Sequence, residues 1–396
     1  MNCFEFHSVG QGLFYTGSLM HGTYHFVFDC GTENKQNYVN DCIDNYVKSF
    51  SYDKEKLDID FVVISHLHKD HFSGLMHLLH KAQVKKIYLP YLGENKDFIR
   101  STLALSIFQE QYDQGIEDNA QNNMRLYYFM CGLYGVDESR DFIRYRELVV
   151  YIRNDEKLNK NRDVVYSIEK FDVGYTNNPY WQFKLIQSRA YGEQLKLLYK
   201  KLNIFFDQFE SRNLISIFLN NKSTLKELKV IYESVFGTGN ALNLTSILLV
   251  HFPLYVNAVS ICPYNDGLYR FKKFIKNHYY SHYCCDINDY FYNIVANDSV
   301  VSILTGDAKV DSIISSEINN IRGKRDNLIL QVPHHGSKDN WDAILNNKIE
   351  AEIYVVPFGY GNRHKLPSSY TIDSLIKDSR EFYCVNQKDK YLYFID

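Results

Sequence analysis

The stretch "VVISHLHKDHFSGL" (62–75) sets three histidines and an aspartate within six residues, directly behind an apolar run. A run that short, closed by a polar turn, reads as a buried strand. At a strand end the rigid sheet fixes the root of the loop while the loop lets side chains converge on one point. Imidazole nitrogens with carboxylate oxygens suit Zn²⁺, and Mn²⁺ as more oxygens enter. His66, His68, Asp70 and His71 therefore constrain the fold most: the chain closes a cation site around them, or they are a polar turn with surface histidines.

Two further strand ends carry the same chemistry. "LTGDA" (304–308) places Asp307 just after an apolar run, and "VPHHGS" (332–337) does the same for His334 and His335. Alone, Asp307 would be an ordinary turn aspartate behind Gly306. Its pairing with the tandem histidines favours a ligand. His77 and His80, on the expected helix after the cluster, read as surface or packing residues.

Around these motifs the chain alternates strands and helices. "FEFHSVGQGLFYTG" and "YHFVFDCGT" read as paired strands about glycine turns. "QNYVNDCIDNYVKSF" reads as a helix with one apolar face covering the sheet. "IDFVVIS", "KKIYLPY", "LTSILLVHF", "SVVSILTGDA", "NLILQVPHHGS" and "AEIYVVPFGYGN" are short apolar runs ended by turn residues, as strands buried on both faces should be. "REFYCVN" and "KYLYFI" close the chain as a final pair. Two stretches break the rhythm, at about 94–150 and 189–242. Both are largely helical, the second with Thr224 and Glu227 in capping-box spacing. They read as insertions in one α/β domain spanning 1–396.

With 44 Lys plus Arg against 47 Asp plus Glu, the net charge is −3, so no whole-molecule positive field draws the chain to nucleic acid and any polyanion site is local. "YRFKKFIKNHYYSHYCC" (269–285) is one candidate, since it interleaves basic and aromatic residues; an amphipathic helix with a solvated basic face fits it equally. Eight cysteines without a C-x-x-C give neither a disulfide framework nor a zinc ribbon, which points to reduced thiols in a cytoplasmic protein. No secretory signal opens the sequence. Polar residues interrupt "LTSILLVHFPLYVNAVSICP" (244–263), so it reads as two strands about a turn rather than a membrane span.

"SHLHKDHFSG" resembles the H-x-H-x-D-H signature of the metallo-β-lactamase fold hydrolases. Together with "VGQG" (9–12), "FDCGT" (28–32), "LTGDA", "VPHHGS" and "GNRHKLPS" (361–368), the set is similar to the soluble hydrolase domain of DNA-uptake competence proteins. The resemblance implies a four-layer αββα sandwich and two divalent ions, Zn or Mn. It assigns His66 and His68 to the first ion, Asp70 and His71 to the second, Asp307 as the bridge, and one of His334 and His335 as the last ligand of the second site. Asp29 would organise the site from behind, with Asp70 and Asp29 as the catalytic carboxylates and Ser337 and His364 near substrate. The implied chemistry is attack of a metal-bound hydroxide on a phosphodiester.

The sequence departs from that pattern twice. The strand "WQFKLIQS" ends without the third histidine of the first site, and His251, at the end of "SILLVH", is the substitute candidate. Leu366 stands before Pro367 where the subgroup has histidine, with His364 displaced by two. The leading expectation is a nuclease acting on nucleic-acid phosphodiesters. The alternatives are hydrolysis of a small diester such as a cyclic nucleotide, and a catalytically decayed metal-binding or partner-binding module whose helical insertions form the partner surface.

Overall fold

The computed structural model describes residues 2–19, 22–51, 56–114, 120–136, 142–152, 165–169, 181–187, 192–209, 222–236, 246–253, 291–295, 300–323 and 327–395. The segment 269–285 and the second half of 244–263 lie outside them.

The first third of the chain runs β1 (Asn2–Phe6), β2 (Phe14–Leu19), β3 (Tyr24–Cys30), α1 (Gln36–Phe50), β4 (Leu57–Ile59), β5 (Phe61–Val63), α2 (Lys69–Phe72), α3 (Leu75–Lys81), β6 (Ala82–Val84) and β7 (Ile87–Pro90). The middle holds α4 (Lys96–Gln114), α5 (Ala120–Leu133), α6 (Ile143–Arg146), β8 (Val149–Ile152), β9 (Val165–Glu169), β10 (Trp181–Gln187), α7 (Gly192–Phe206), α8 (Lys222–Phe236) and β11 (Ile247–Pro253). The remainder is β12 (Phe291–Val295), β13 (Val300–Leu304), α9 (Ser312–Arg322), β14 (Asn327–Gln331), α10 (Lys338–Asn346), β15 (Ile353–Pro357), α11 (Ser369–Lys377), β16 (Glu381–Val385) and β17 (Tyr391–Ile395).

Two large sheets form, in the orders β12-β17-β1-β2-β3-β5-β7-β8 and β16-β15-β14-β13-β11-β10-β9. Strand periodicity explains why they stack. In β3 and β5, Phe26, Phe28, Phe61 and Val63 face one way, while Val27 and Val62 face the other. In β13 and β14 the alternation gives Val300, Leu304 and Ile329 to one face and Val301, Ile303, Leu328 and Leu330 to the other. The inward sets meet in an aromatic-rich layer that includes Phe4, Phe6, Trp181 and Phe183. Each large side chain buried there stabilises the fold by about 1.5–3 kcal/mol relative to exposure.

The outward faces are covered by helices. On the first sheet, α1 presents Val39, Ile43, Tyr46, Val47 and Phe50, a stripe at helical spacing, over the span expected from sequence. Both insertions join the same apolar cluster, through Phe98, Leu103 and Phe129 from one, and Leu198, Leu202, Leu228 and Tyr232 from the other. On the second sheet, Ile314, Ile318, Trp341, Ile344 and Leu375 of α9, α10 and α11 form the outer cluster. The layers are therefore helix, sheet, sheet, helix, the αββα order expected. One local expectation is corrected: α8 begins at Lys222, so Thr224 lies inside its first turn, buried, rather than at the cap.

The strand directions place the site. β3, β5 and β7 are mutually parallel, and so are β13, β14, β15 and β16, so each set ends at one edge of its sheet. β11 runs antiparallel to β13, which brings its first residue to that edge. There the Ile247 amide donates to the Ser65 carbonyl at 2.8 Å, joining the second sheet to the loop that follows β5. Among the described residues no helix is long and apolar enough to cross a membrane.

Candidate metal centre

Three loops meet at this edge. The first leaves β5 through Ser65, whose amide and hydroxyl both donate to the Asp29 carboxylate, at 2.6 and 2.7 Å. The single turn of α2 then carries Asp70 and His71, both buried. It sits against bare backbone: a Cβ on Gly31 would lie 2.4 Å from the Asp70 carbonyl carbon and 2.5 Å from the His71 amide nitrogen, so only glycine admits this approach.

The second loop, Thr305–Ala308, is held by Gln331, whose Oε1 accepts from the Thr305 and Gly306 amides at 2.9 and 3.0 Å. The third follows β14. His334 and His335 both take left-handed backbone, with φ of 49° and 52°, and the His334 amide donates to the Gly306 carbonyl at 3.0 Å. Asn340 ties the second and third loops together. Its Nδ2 donates to the carbonyls of Asp307 and Ala308, and its Oδ1 stands 3.3 Å from His334 Nδ1.

Asp307 lies at the centre. Its Oδ2 is 3.4 Å from His66 Nε2, 3.5 Å from His68 Nδ1 and 3.6 Å from His334 Nε2. Its Oδ1 is 3.3 Å from His71 Nε2 and 4.0 Å from His335 Nε2. Asp70 Oδ2 in turn is 2.9 Å from His335 Nε2 and 3.5 Å from His71 Nε2. Two overlapping triads thus bring their ligand atoms within 4.8 Å of one another: His66, His71 and Asp307, and Asp70, His71 and His335.

The buried atoms His66 Nε2, His71 Nε2 and Asp307 Oδ1 have no hydrogen-bond partner. Left so, each costs free energy, and a cation shared between them removes that cost. The far nitrogens are already engaged. His66 Nδ1 meets Ser65 Oγ at 2.9 Å, His71 Nδ1 meets Asp29 Oδ2 at 2.8 Å, and His335 Nδ1 meets the Pro357 carbonyl at 3.0 Å. Such outer contacts fix the ring and leave Nε2 for a metal. The donor set fits divalent cations of the zinc and manganese type.

Electrostatics agree with that fit. Burial, helped by the neighbouring His71, pushes His66 down to about 3, so it is a neutral imidazole at neutral pH. Burial also acts to lower His71, but the carboxylates of Asp70, Asp307 and Asp29 outweigh it and raise this imidazole well above its ordinary value. Burial acts to raise Asp307 and Asp70. Against it, His334, His66 and His71 hold Asp307 far below the usual carboxylate range, and His71 with His335 does the same for Asp70. Both carboxyls are ionised across the neutral range.

Two expected residues, His251 and His364, stand away from the cluster. His251 is corrected from ligand to core: it is buried in the middle of the sandwich, its ring 5.0 Å from that of Phe4 and its Nε2 2.8 Å from the Tyr15 hydroxyl. At the end of β10, nearer the site by its pairing with Ile247, stands Gln187. Ser337 caps α10, its hydroxyl accepting from the Asn340 amide and donating to Asn340 Oδ1 at 2.7 Å. His364 lies on the exposed side of the next loop, 3.6 Å from Glu33 Oε1 and 3.0 Å from Arg363 Nε, with no contact to the cluster. Asp29 stands directly behind His71 and Ser65, fully buried and with a left-handed φ of 55°. Sequence reasoning missed Ser65, Gln331 and Asn340. The Ser337–Asn340 capping spacing was a usable signal for the last.

Residues 14–97 match the profile described as "Metallo-beta-lactamase superfamily", a segment that contains Asp29 and the whole of His66–His71. No curated protein sequence matches the chain. Among solved structures, the rubredoxin oxygen:oxidoreductase of the anaerobe Desulfovibrio gigas aligns over 97% of this chain and 90% of its own, at 10% identity and a TM-score of 0.22. At that score the likeness carries no argument. Residues 14–97 are thus similar to the metallo-beta-lactamase superfamily, and the paired sheets with helices on both outer faces and the ligand cluster at their shared edge are consistent with that likeness.

Proposed function

We propose that the protein is a dinuclear metal-dependent phosphodiesterase acting on the backbone of nucleic acid. The likeness of residues 14–97 to the metallo-beta-lactamase superfamily supports metal-dependent hydrolysis or a related activity. The observation that carries the finer reading is Asp307: one carboxylate turns its two oxygens to two different sets of ligands. When bound, a cation pair supplies positive charge for developing phosphoryl oxygens and lowers the pKa of a water. The chain's own residues do the rest. Asp70 and Asp307 stay ionised, and His66 stays neutral, so none must lose a proton before binding. Asp29 is a positioning residue that holds His71 in one ring orientation. Of the cluster, His68 and His334 are the members open to solvent, with side chains 22% and 29% exposed, so substrate enters over them. The order of motifs, similar to competence-type hydrolases, supports a nucleic-acid substrate. Eight cysteines scattered along the chain without a C-x-x-C fit a reducing compartment such as the cytoplasm. Leu197, Ile204 and Val230, exposed on α7 and α8, offer the helical insertions a place for a protein partner.

The test is incubation of the purified protein with Mn²⁺ or Zn²⁺ and single- or double-stranded DNA or RNA. Backbone cleavage is expected, and its loss in the double variant Asp70→Ala, His71→Ala. Cleavage of cyclic nucleotides but not oligonucleotides would shift the reading to a small diester. No cleavage of either, or an active double variant, would overturn it.

A further inference from the structure

We propose that the tandem histidines divide between the two cations, His334 completing the first site and His335 the second. The inference rests on the dinuclear reading above and assigns the ligand that the sequence leaves open. His335 Nε2 reaches Asp70 at 2.9 Å and lies on the Oδ1 side of Asp307, with His71. His334 Nε2 instead lies on the Oδ2 side, at 3.6 Å, beside the 3.4 and 3.5 Å approaches of His66 and His68. Three imidazole nitrogens therefore surround one carboxylate oxygen at separations longer than a hydrogen bond, the spacing expected of neighbouring ligands on one ion rather than of direct partners.

The backbone accounts for the division. Two successive non-glycine residues in the left-handed region are rare. Here they turn adjacent side chains apart, so that the ring centroids lie 6.4 Å from each other with planes 69° apart. Each ring is also steadied from behind by a carbonyl oxygen, that of Asn340 Oδ1 for His334 Nδ1 and that of Pro357 for His335 Nδ1. This is the outer contact that fixes a metal-binding imidazole. The first site then holds His66, His68, His334 and Asp307; the second holds Asp70, His71, His335 and Asp307.

Gln187 is the one rival among the described residues near the site. Gln187, at the end of β10, is buried, and its Oε1 has no hydrogen-bond partner. An amide oxygen there could take the place assigned to His334.

The experiment uses the full chain stripped with chelator, then titrated with Zn²⁺ by calorimetry, with Co²⁺ by visible absorption, and measured for bound metal after desalting. Wild type is expected to hold two ions. His334→Asn, whose side chain tolerates left-handed backbone, and His334→Ala are expected to keep one ion and to bind the other at least about 100-fold more weakly; Gln187→Leu is expected to keep two. Thermal unfolding of the metal-free variants separates lost ligation from lost folding. Two ions held with unchanged affinity by a folded His334 variant would overturn the assignment, as would loss of an ion from Gln187→Leu alone. A wild type holding fewer than two ions would overturn the dinuclear reading itself.

Discussion

At the scale of single residues, Asp307 stands between the loops, with one carboxylate oxygen near His66 Nε2 and the other near His71 Nε2. Asp307→Asn keeps the shape and removes the charge, and metal analysis should find both ions lost from a folded chain. His251 supports a different prediction. Burial pushes it down to about 3 from 6.5, so the folded protein leaves it neutral while the unfolded chain protonates it below 6.5. The stability it contributes is complete above 6.5 and is lost as pH falls toward 3. One proton bound only by the unfolded chain costs about 1.4 kcal/mol per pH unit. His251→Phe should flatten the fall of stability between about pH 6 and pH 4 by that slope, read from denaturant unfolding in chelator. Phenylalanine suits the site, since Tyr15 keeps its 2.6 Å bond to Tyr393. The histidine was readable as core. In β11 it alternates with Ile247 and Leu249, both in the layer between the sheets, but its place near the end of an apolar run resembled a strand-end ligand.

At the scale of elements, α2 depends on how closely it can approach Gly31. Gly31→Ala drives a methyl into the Asp70–His71 peptide, and the turn must move. Overpacking of this kind costs about 1–3 kcal/mol. Metal affinity should fall much further than the unfolding midpoint, because both ligands shift together; calorimetry with Zn²⁺ and thermal unfolding measure the two effects. The strand-plus-turn units around "SHLHKDH", "LTGDA" and "VPHHGS" were legible because each pairs an apolar run with a polar stop. The local supports were not. Asn340 sits on a helix and looks like an ordinary capping neighbour until the chain closes and its amide spans two loops.

At the scale of the whole molecule, the layered order could be anticipated from strands buried on both faces. The partition of strands between sheets could not. β12 lies parallel to β17, and β1 lies between β17 and β2, pairings set by tertiary closure rather than local pattern. Both insertions feed the cluster over the first sheet, so Leu228→Ala in α8 should cost about 2–5 kcal/mol of global stability, measured by denaturant unfolding. Metal should act globally too. Free cation at 100 times its dissociation constant stabilises the fold by about 2.7 kcal/mol per site, so chelation should lower the thermal midpoint of wild type and leave Asp307→Asn unmoved.

The amide of Ile247 on the carbonyl of Ser65 is a small contact with a mechanical corollary. His66 to His71 travel with one slab of the sandwich, and Asp307 and the paired imidazoles with the other. A lateral slip of the slabs would therefore stretch or shorten the distance from Asp307 to His66 and His71. The aromatic interleaf of Phe26, Phe61 and Phe183 sets that gauge from a distance, and trimming a ring there should weaken cation binding without altering any residue of the cluster.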